Sequence, residues 1–470
     1  MVSRLTEHAE RVLVQGSVVE LDVTDLLANG QGVGRASGMV VFVWGPLPGE
    51  RAKVRIALVK AKYLVGELIE LLERSPDRAE PFCPVFGECG GCQVQHLQYP
   101  AQLSWKRAMI ESALRRIGGI RDAPVAPVVG MRDPRGYRNK MALVVQPGTS
   151  GPEFGFYQAR SHDIVPVHSC PTAEPQLDAT IERLWAAARD PQTGAAFDGA
   201  RHVVARVARS SGQSIVSITT DRASTTLPAV AARVREALPG AVGIANSFEP
   251  GSPNAVIGRR HTTLSGTGEI EEEIGGVRFR VSTASFFQIN SEVVGSIFRF
   301  LEPALRTGLR MVDLYCGAGT FSLFFARCGA EVVGVEENPG AVREARANAE
   351  RNRLRERTAF VAGRVERAVG DGPAAAALQL ADVAFLDPPR KGTDEATLSA
   401  ILAARVPHVW YLSCNPATLA RDLAQLVAGG YVLDIVAPFD MFPQTGHVEA
   451  LAALRLPHVA PATFAAPQPA

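Results

Sequence analysis

No apolar run in this 470-residue chain approaches the roughly 20 residues needed to cross a bilayer, and no apolar signal-peptide core stands near the N-terminus. The expectation is a cytoplasmic protein with no membrane partner. Thiols stay reduced in that compartment, so the seven cysteines read as ligands, nucleophiles or core fillers rather than as disulfides. Excess charge of one sign is also missing. With 49 basic and 48 acidic residues, a uniformly basic nucleic-acid coat is excluded, and any such surface must be local. Two stretches qualify. Nine Lys/Arg stand against three acids between Trp105 and Lys140, and Arg51 to Lys62 carries five basic residues and no acid.

The length is enough for two or three domains, each able to bury a core. From about residue 10 to 75, short β-rich runs (Ser17–Val23, Gly38–Val43, Arg51–Leu58, Tyr63–Leu72) are punctuated by Gly30, Gly32, Gly34, Gly45 and Gly49, which predicts a small antiparallel barrel. Residues 76–275 hold a cysteine cluster, a helix over 100–117 with Ile110, Ala113, Leu114 and Ile117 on one stripe, and sheet-like runs at His202–Val207, Ser214–Thr219 and Val242–Asn246. Residues 276–456 alternate strand-like and helical segments, the pattern of a mostly parallel sheet covered on both faces. The last two strands are joined by too short a connection for a helical crossover, so they pair antiparallel. An α/β fold of seven strands ending in an antiparallel hairpin is the Rossmann-like S-adenosylmethionine methyltransferase fold. The Ala- and Pro-rich residues 457–470 predict a disordered tail.

Three groups of residues carry chemistry. In Asp313-Leu314-Tyr315-Cys316-Gly317-Ala318-Gly319-Thr320, Gly317 and Gly319 let the backbone approach a ligand before a helix begins. Glu336 ends the next strand, where a carboxylate can take both ribose hydroxyls, and Asp387-Pro388-Pro389 follows a later one. Glycine loop, acidic strand end and Asp-Pro-Pro in that order point to S-adenosyl-L-methionine, and the missing third glycine of their fingerprint disfavours pyrophosphate dinucleotides. Cys414 in Ser413-Cys414-Asn415-Pro416 and Glu449 in Gly446-His447-Val448-Glu449 both lie at strand ends on the same sheet edge. Thiol, carboxylate and methyl donor are the three parts needed to methylate C5 of a pyrimidine. Finally, Cys83-x5-Cys89-x2-Cys92, with Cys170 after 77 more residues, is a set of four thiolates suited to Zn or a [4Fe-4S] cluster, and spacing alone does not choose between them.

The strings Ser-Cys-Asn-Pro-Ala-Thr-Leu-Ala-Arg-Asp from Ser413 and Asp-Met-Phe-Pro-Gln-Thr-Gly-His-Val-Glu from Asp440 resemble the RNA 5-methyluridine methyltransferases. The resemblance runs from about Val14 to Leu456 and is greatest to the iron-sulfur-containing 23S rRNA branch. It implies Cys414 as the nucleophile that adds to uracil C6 and Glu449 as the base that removes the C5 proton. It implies Gln288, Tyr315, Thr320, Glu336 and Asp387 as donor-binding positions, and it puts Arg364 near the adenine. The segments around Cys83–Cys92 and Cys170 are similar to the branch's cluster-binding segments, which implies [4Fe-4S]. Val-Glu-Leu-Asp-Val, Gly-Gln-Gly-Val-Gly and Pro-Gly-Glu-Arg in the first 75 residues look like a TRAM domain, an RNA-binding OB-like barrel. In such enzymes the helix over 100–117 packs on the catalytic domain. The implied partner is RNA, 23S rRNA ahead of tRNA, and the implied state is a monomer. Two other readings are an RNA amino-methyltransferase, which also uses Asp-Pro-Pro but usually with an aromatic where Arg390 stands, and a non-catalytic RNA-binding module. Neither needs Cys414.

Overall fold

The computed structural model describes residues 13–149, 151–238, 240–251, 256–258, 260–370, 372–466 and 468–470. The chain forms two compact units. One comprises residues up to Gln102 together with Gln444–Gly446, and the other comprises Leu103–Pro443 and His447–Ala470.

The first unit contains a closed five-stranded barrel in the order β1-β2-β3-β5-β4, built from β1 (Val18–Leu26), β2 (Gln31–Ala36), β3 (Met39–Trp44), β4 (Arg51–Val59) and β5 (Tyr63–Glu73). Alternation along β4 turns Ala52, Val54 and Ile56 inward, where they pack with Leu21, Val23, Val41, Val43 and Leu64. Strand β2 corrects the sequence expectation, which took its glycines for turn punctuation. A side chain at Gly34 would lie 2.5 Å from the Asp22 carbonyl, and one at Gly32 would lie 2.6 Å from that of Pro46. These glycines let strands cross closely in a narrow barrel. Just before β4, Glu50 is buried under Arg78, which donates Nε at 2.6 Å and Nη2 at 2.7 Å to its two oxygens.

In the second unit, helix α1 (Tyr99–Arg116, its first turn belonging to the first unit) buries Ile110 and Leu114 against Val312, Leu314 and Tyr411 of the catalytic sheet region. A seven-stranded mixed sheet follows, ordered β12-β11-β10-β9-β6-β7-β8. Its strands are β6 (Lys140–Gly148), β7 (Gly151–Tyr157), β8 (Ile164–Pro166), β9 (Ala200–Val207), β10 (Ser214–Thr220), β11 (Ala241–Phe248) and β12 (Arg260–Gly266), with α2 (Pro175–Arg189) and α3 (Leu227–Ala237) between them. A hairpin, β13 (Glu269–Ile274) and β14 (Val277–Ser282), leads to α4 (Ser291–Leu301) and the last sheet.

That sheet is ordered β17-β16-β15-β18-β19-β21-β20. Strands β15 (Arg310–Leu314), β16 (Glu331–Glu336), β17 (Thr358–Ala362), β18 (Val383–Leu386) and β19 (His408–Ser413) run parallel, while β21 (Glu449–Arg455) pairs antiparallel with both β19 and β20 (Val432–Phe439). Helices α5 (Thr320–Arg327), α6 (Pro339–Arg351), α7 (Val365–Gly370), α8 (Ala375–Leu380), α9 (Glu395–Ala404) and α10 (Pro416–Ala428) connect the strands. Met311, Phe385, Trp410 and Leu412 enter one apolar core, and Val312, Leu386, Val409 and Tyr411 enter another. Successive strand residues thus feed opposite faces, and the sheet is buried on both.

The expectation of a disordered tail is corrected. Phe464 stacks on Phe300 with centroids 4.9 Å apart and meets Trp410 edge-on at 5.5 Å, and the Ala470 amide donates to Gly130 O at 2.8 Å. One aromatic in an Ala/Pro-rich segment supplies the apolar area that composition averages away. No described helix is long and apolar enough to cross a membrane.

Candidate active site

The carboxyl ends of the parallel strands gather the expected donor residues. After β15 the chain turns through Tyr315 (φ 70°), Gly317 (φ 54°) and Gly319 (φ 86°), and Gly319 caps α5. A side chain at Gly319 would lie 3.3 Å from Ala345 Cβ, so both φ and space call for glycine there. The Gly317 amide donates to Glu336 Oε2 at 3.2 Å, and Glu336 Oε1 accepts from the Asn338 amide at 2.8 Å. Thr320 opens α5 and is buried. The Tyr315 hydroxyl reaches Asp394 Oδ2 at 3.4 Å. Beneath the turn, Asp313 is fully buried and accepts from the Ser322 hydroxyl, and burial pushes its carboxyl up to about 8.

A few residues away, register brings the thiol and the carboxylate together. Ser413 opposes Ala450 across the β19–β21 ladder, so Cys414 and Glu449 are the next positions on each strand. Cys414 lies just before Asn415, whose side chain caps α10 by accepting from Ala417 N. Asp387 follows β18, and Gln288 donates Nε2 towards its Oδ2 at 3.5 Å. Gln288 sits in a loop fixed from behind, with Asn139 Nδ2 donating to the Gln288 carbonyl at 2.9 Å and to Ser291 Oγ at 3.1 Å.

The site is crowded with acids. Glu449 is 3% exposed, its Oε1 has no hydrogen-bond partner, and burial followed by the neighbouring Asp387 raises its pKa well above the usual carboxylate range. Burial raises Asp387 in the same way. The Cys414 thiol is pushed up to about 11 by burial, then by the charges of Glu449 and Asp387, with Arg390 pulling the other way. Arg390 also acts to lower Glu449. Its Nη2 lies 3.4 Å from His447 Nε2, and burial together with Arg390 brings that imidazole down to about 4.

Sequence reasoning treated Arg390 only as a departure from another enzyme class and did not assign it electrostatic work. The signal available was its place three residues after Asp387. It also passed over Phe286, whose ring is 71% exposed two residues before Gln288. Arg364 lies between β17 and α7. Its guanidinium is exposed and pairs with Glu337 at 3.7 Å and Glu366 at 3.6 Å.

The basic stretch from Trp105 to Lys140 does not form one surface. Lys106 is fully buried with Asp440 at 2.5 Å, Arg107 pairs with Glu111, and Arg135 pairs with Asp133. In the shorter stretch, Arg51 faces Glu20, Asp22 and Glu73.

All four candidate ligand thiols are half-buried. Cys83, Cys89 and Cys92 belong to the first unit and Cys170 to the second. Cys89 Sγ accepts from the Gly91 amide at 3.4 Å, and Cys170 Sγ lies 3.3 Å from the Thr172 hydroxyl. Among the described residues, no three His, Cys, Asp or Glu side chains form a group that could hold a metal. Cys316 is buried in an apolar core.

The chain is similar to known proteins. The family described as tRNA (Uracil-5-)-methyltransferase matches residues 269–455, and the TRAM domain matches residues 13–69. An uncharacterized RNA methyltransferase of Halalkalibacterium halodurans is 38% identical over 455 residues, covering 94% of this chain and 98% of its own. Another, from Gloeobacter violaceus, is 37% identical over 468 residues, covering 97% and 99%. The crystal structure of the Pyrococcus abyssi tRNA (uracil-54, C5)-methyltransferase in complex with S-adenosyl-L-homocysteine superposes with a TM-score of 0.72 at 26% identity, covering 92% of this chain and all of that one. The chain belongs to the RNA methyltransferases, its residues 269–455 match the tRNA (Uracil-5-)-methyltransferase family, and it carries an N-terminal TRAM domain.

Proposed function

We propose that this protein methylates C5 of a specific uridine in 23S rRNA through a covalent adduct between Cys414 and uracil C6. The observation that carries the chemistry is the meeting of Cys414 and Glu449 at the end of one β-ladder, beside Asp387 and Gln288. S-adenosylmethionine supplies a methyl group on a sulfonium. The donor positions we assign are Gln288, Tyr315, Gly317, Gly319, Thr320, Glu336 and Asp387.

Uracil C5 is too poor a nucleophile to take that methyl unaided. The Cys414 thiol gives its proton to water and the sulfur adds to C6, moving the ring's electron pair onto C5 and O4. Gln288 and Asp387 contact the uracil edge and hold charge near O4 and N3. After C5 is methylated, the Glu449 carboxylate takes the remaining C5 proton. The C5–C6 double bond re-forms, the S–C6 bond breaks, and Cys414 is released. Arg390 is the cation that favours the ionised forms of both groups.

The domain limits we propose are 10–75 for the TRAM barrel, 76–275 for a central RNA-binding region and 276–456 for the catalytic domain. Cys83, Cys89, Cys92 and Cys170 are proposed as ligands of a [4Fe-4S] cluster. Their thiolates fit such a group chemically, and the chain's own chemistry does not route electrons through it. Preference for 23S rRNA over tRNA rests on the combination of barrel and cysteine set. A cytoplasmic monomer completes the reading.

The test separates the two sides of methyl transfer. Glu449→Gln should accumulate a denaturant-resistant protein–RNA band carrying one transferred methyl, and Cys414→Ala should form neither adduct nor product. Near-normal turnover by Glu449→Gln, or an adduct in Cys414→Ala, overturns the assignments. Nucleoside analysis of methylated 23S rRNA and tRNA decides the target.

A further inference from the structure

Two cations with almost no compensation lie behind the loop that carries Gln288. Lys140 opens β6 and is the direct partner of Arg206 on β9, so both side chains leave the same face of the central sheet. Arg206 is 1% exposed, and its Nη2 donates to the Ser285 carbonyl at 2.9 Å, while Nε and Nη1 are buried with no hydrogen-bond partner. Its guanidinium lies 6.0 Å from the Phe287 ring. The carboxylate that acts on it, Glu344, already accepts from the Ser282 and Ser285 hydroxyls. Lys140, unlike Arg206, keeps part of its surface exposed. Burial and the charge of Arg206 bring the Lys140 ammonium down to about 7, and burial lowers Arg206 to about 10.

Buried charged donors without acceptors are costly, and an anion is the group that satisfies both at once. The position narrows the choice of anion. Residues 285–288 join Arg206, through Ser285, to the exposed Phe286 and to Gln288, and Asn139, next to Lys140, holds the Gln288 carbonyl. We propose that Lys140 and Arg206 form a phosphate site that takes a backbone phosphodiester of the RNA strand beside the target uridine, an inference that rests on the RNA-methyltransferase reading above. Lys140 meets the phosphate from its exposed side, and Arg206 backs it while fixing the loop through Ser285. The site thereby sets which nucleotide can reach Cys414.

The full chain, saturated with S-adenosylhomocysteine, is titrated with a fluorescent 12-nucleotide oligouridylate over a range of salt. A matched series carries one neutral methylphosphonate at each linkage in turn. For Lys140→Gln we expect about tenfold weaker binding and a salt slope smaller by roughly 0.7, the value of one single-strand phosphate contact. One methylphosphonate position should weaken binding to the wild type yet add nothing in Lys140→Gln, the signature of a shared contact. Arg206→Lys should retain more affinity than Arg206→Met, and the Lys140 variant decides the matter if Arg206→Met fails to fold. Unchanged affinity and slope in Lys140→Gln, purely additive methylphosphonate effects, or no binding of the oligouridylate by the wild type overturns the proposal. Lost S-adenosylhomocysteine affinity with RNA binding intact assigns the anion to the donor's carboxylate and also overturns it. Absence of methyl transfer to any RNA sinks the function instead, and leaves the binding comparisons to judge the phosphate site.

Discussion

The charge balance around Cys414 makes a quantitative prediction about its reactivity in the unliganded protein. Its thiol is pushed up to about 11, first by burial and then by Glu449 and Asp387. Near neutral pH that reduces the thiolate population about 100-fold relative to an unperturbed cysteine. A more basic thiolate is intrinsically more nucleophilic, which returns roughly a factor of eight, so alkylation should run about tenfold slower than in an unfolded chain. Iodoacetamide labelling of Cys414 can be followed by mass spectrometry on its peptide, with the same peptide in urea as the comparator. The rate should climb about tenfold per pH unit from pH 7 to 10 without a plateau. Glu449→Gln removes a negative neighbour and should shift the profile to lower pH, while Arg390→Gln should shift it higher. A plateau near pH 8, or equal profiles for the two variants, would refute the electrostatic reading. The result bears on mechanism, because a thiol disfavoured as thiolate in the empty pocket must gain its reactivity once the pocket is filled.

Two further outcomes follow from other parts of the molecule. Anaerobically purified protein should be brown with close to four irons per chain, and Cys89→Ser should lose them. Stoichiometric zinc without visible absorption would sink the cluster. Lys106→Met strands Asp440 in the core and should cost about 3–5 kcal/mol in denaturant unfolding, whereas the double variant Lys106→Met/Asp440→Leu should recover most of it. Equal loss in both would show that the Lys106 Nζ bond to the Phe442 carbonyl at 3.0 Å matters more than the ion pair.

Much of the chemistry was legible because it is written in short strings. The Gly317–Gly319 turn, Glu336 at a strand end and the strings around Cys414 and Glu449 each depend on neighbouring residues, and the structure has them at the carboxyl edge of the sheet. Glycine-rich β2 was not legible, since a glycine that permits two strands to cross looks in sequence like a glycine that makes a turn. The tail failed for a related reason, because one phenylalanine, Phe464, outweighs the composition of its surroundings once Phe300 and Trp410 are there to receive it.

Periodicity and turn chemistry act over a few residues, and for this protein they determined the α/β class, the barrel and the antiparallel ending of the sheet. Burial and charge pairing act between residues far apart in the chain, and only the tertiary structure decided those. It set Glu449 one step from the Ser413–Ala450 pair, buried it without a partner for Oε1, and made Arg390 the cation of the site. It also dispersed the basic stretch, sending Lys106 into the core with Asp440 and setting Lys140 against Arg206. A count of charges along a sequence carries no information about which of them will share a low-dielectric interior, because that depends on contacts closed over hundreds of residues.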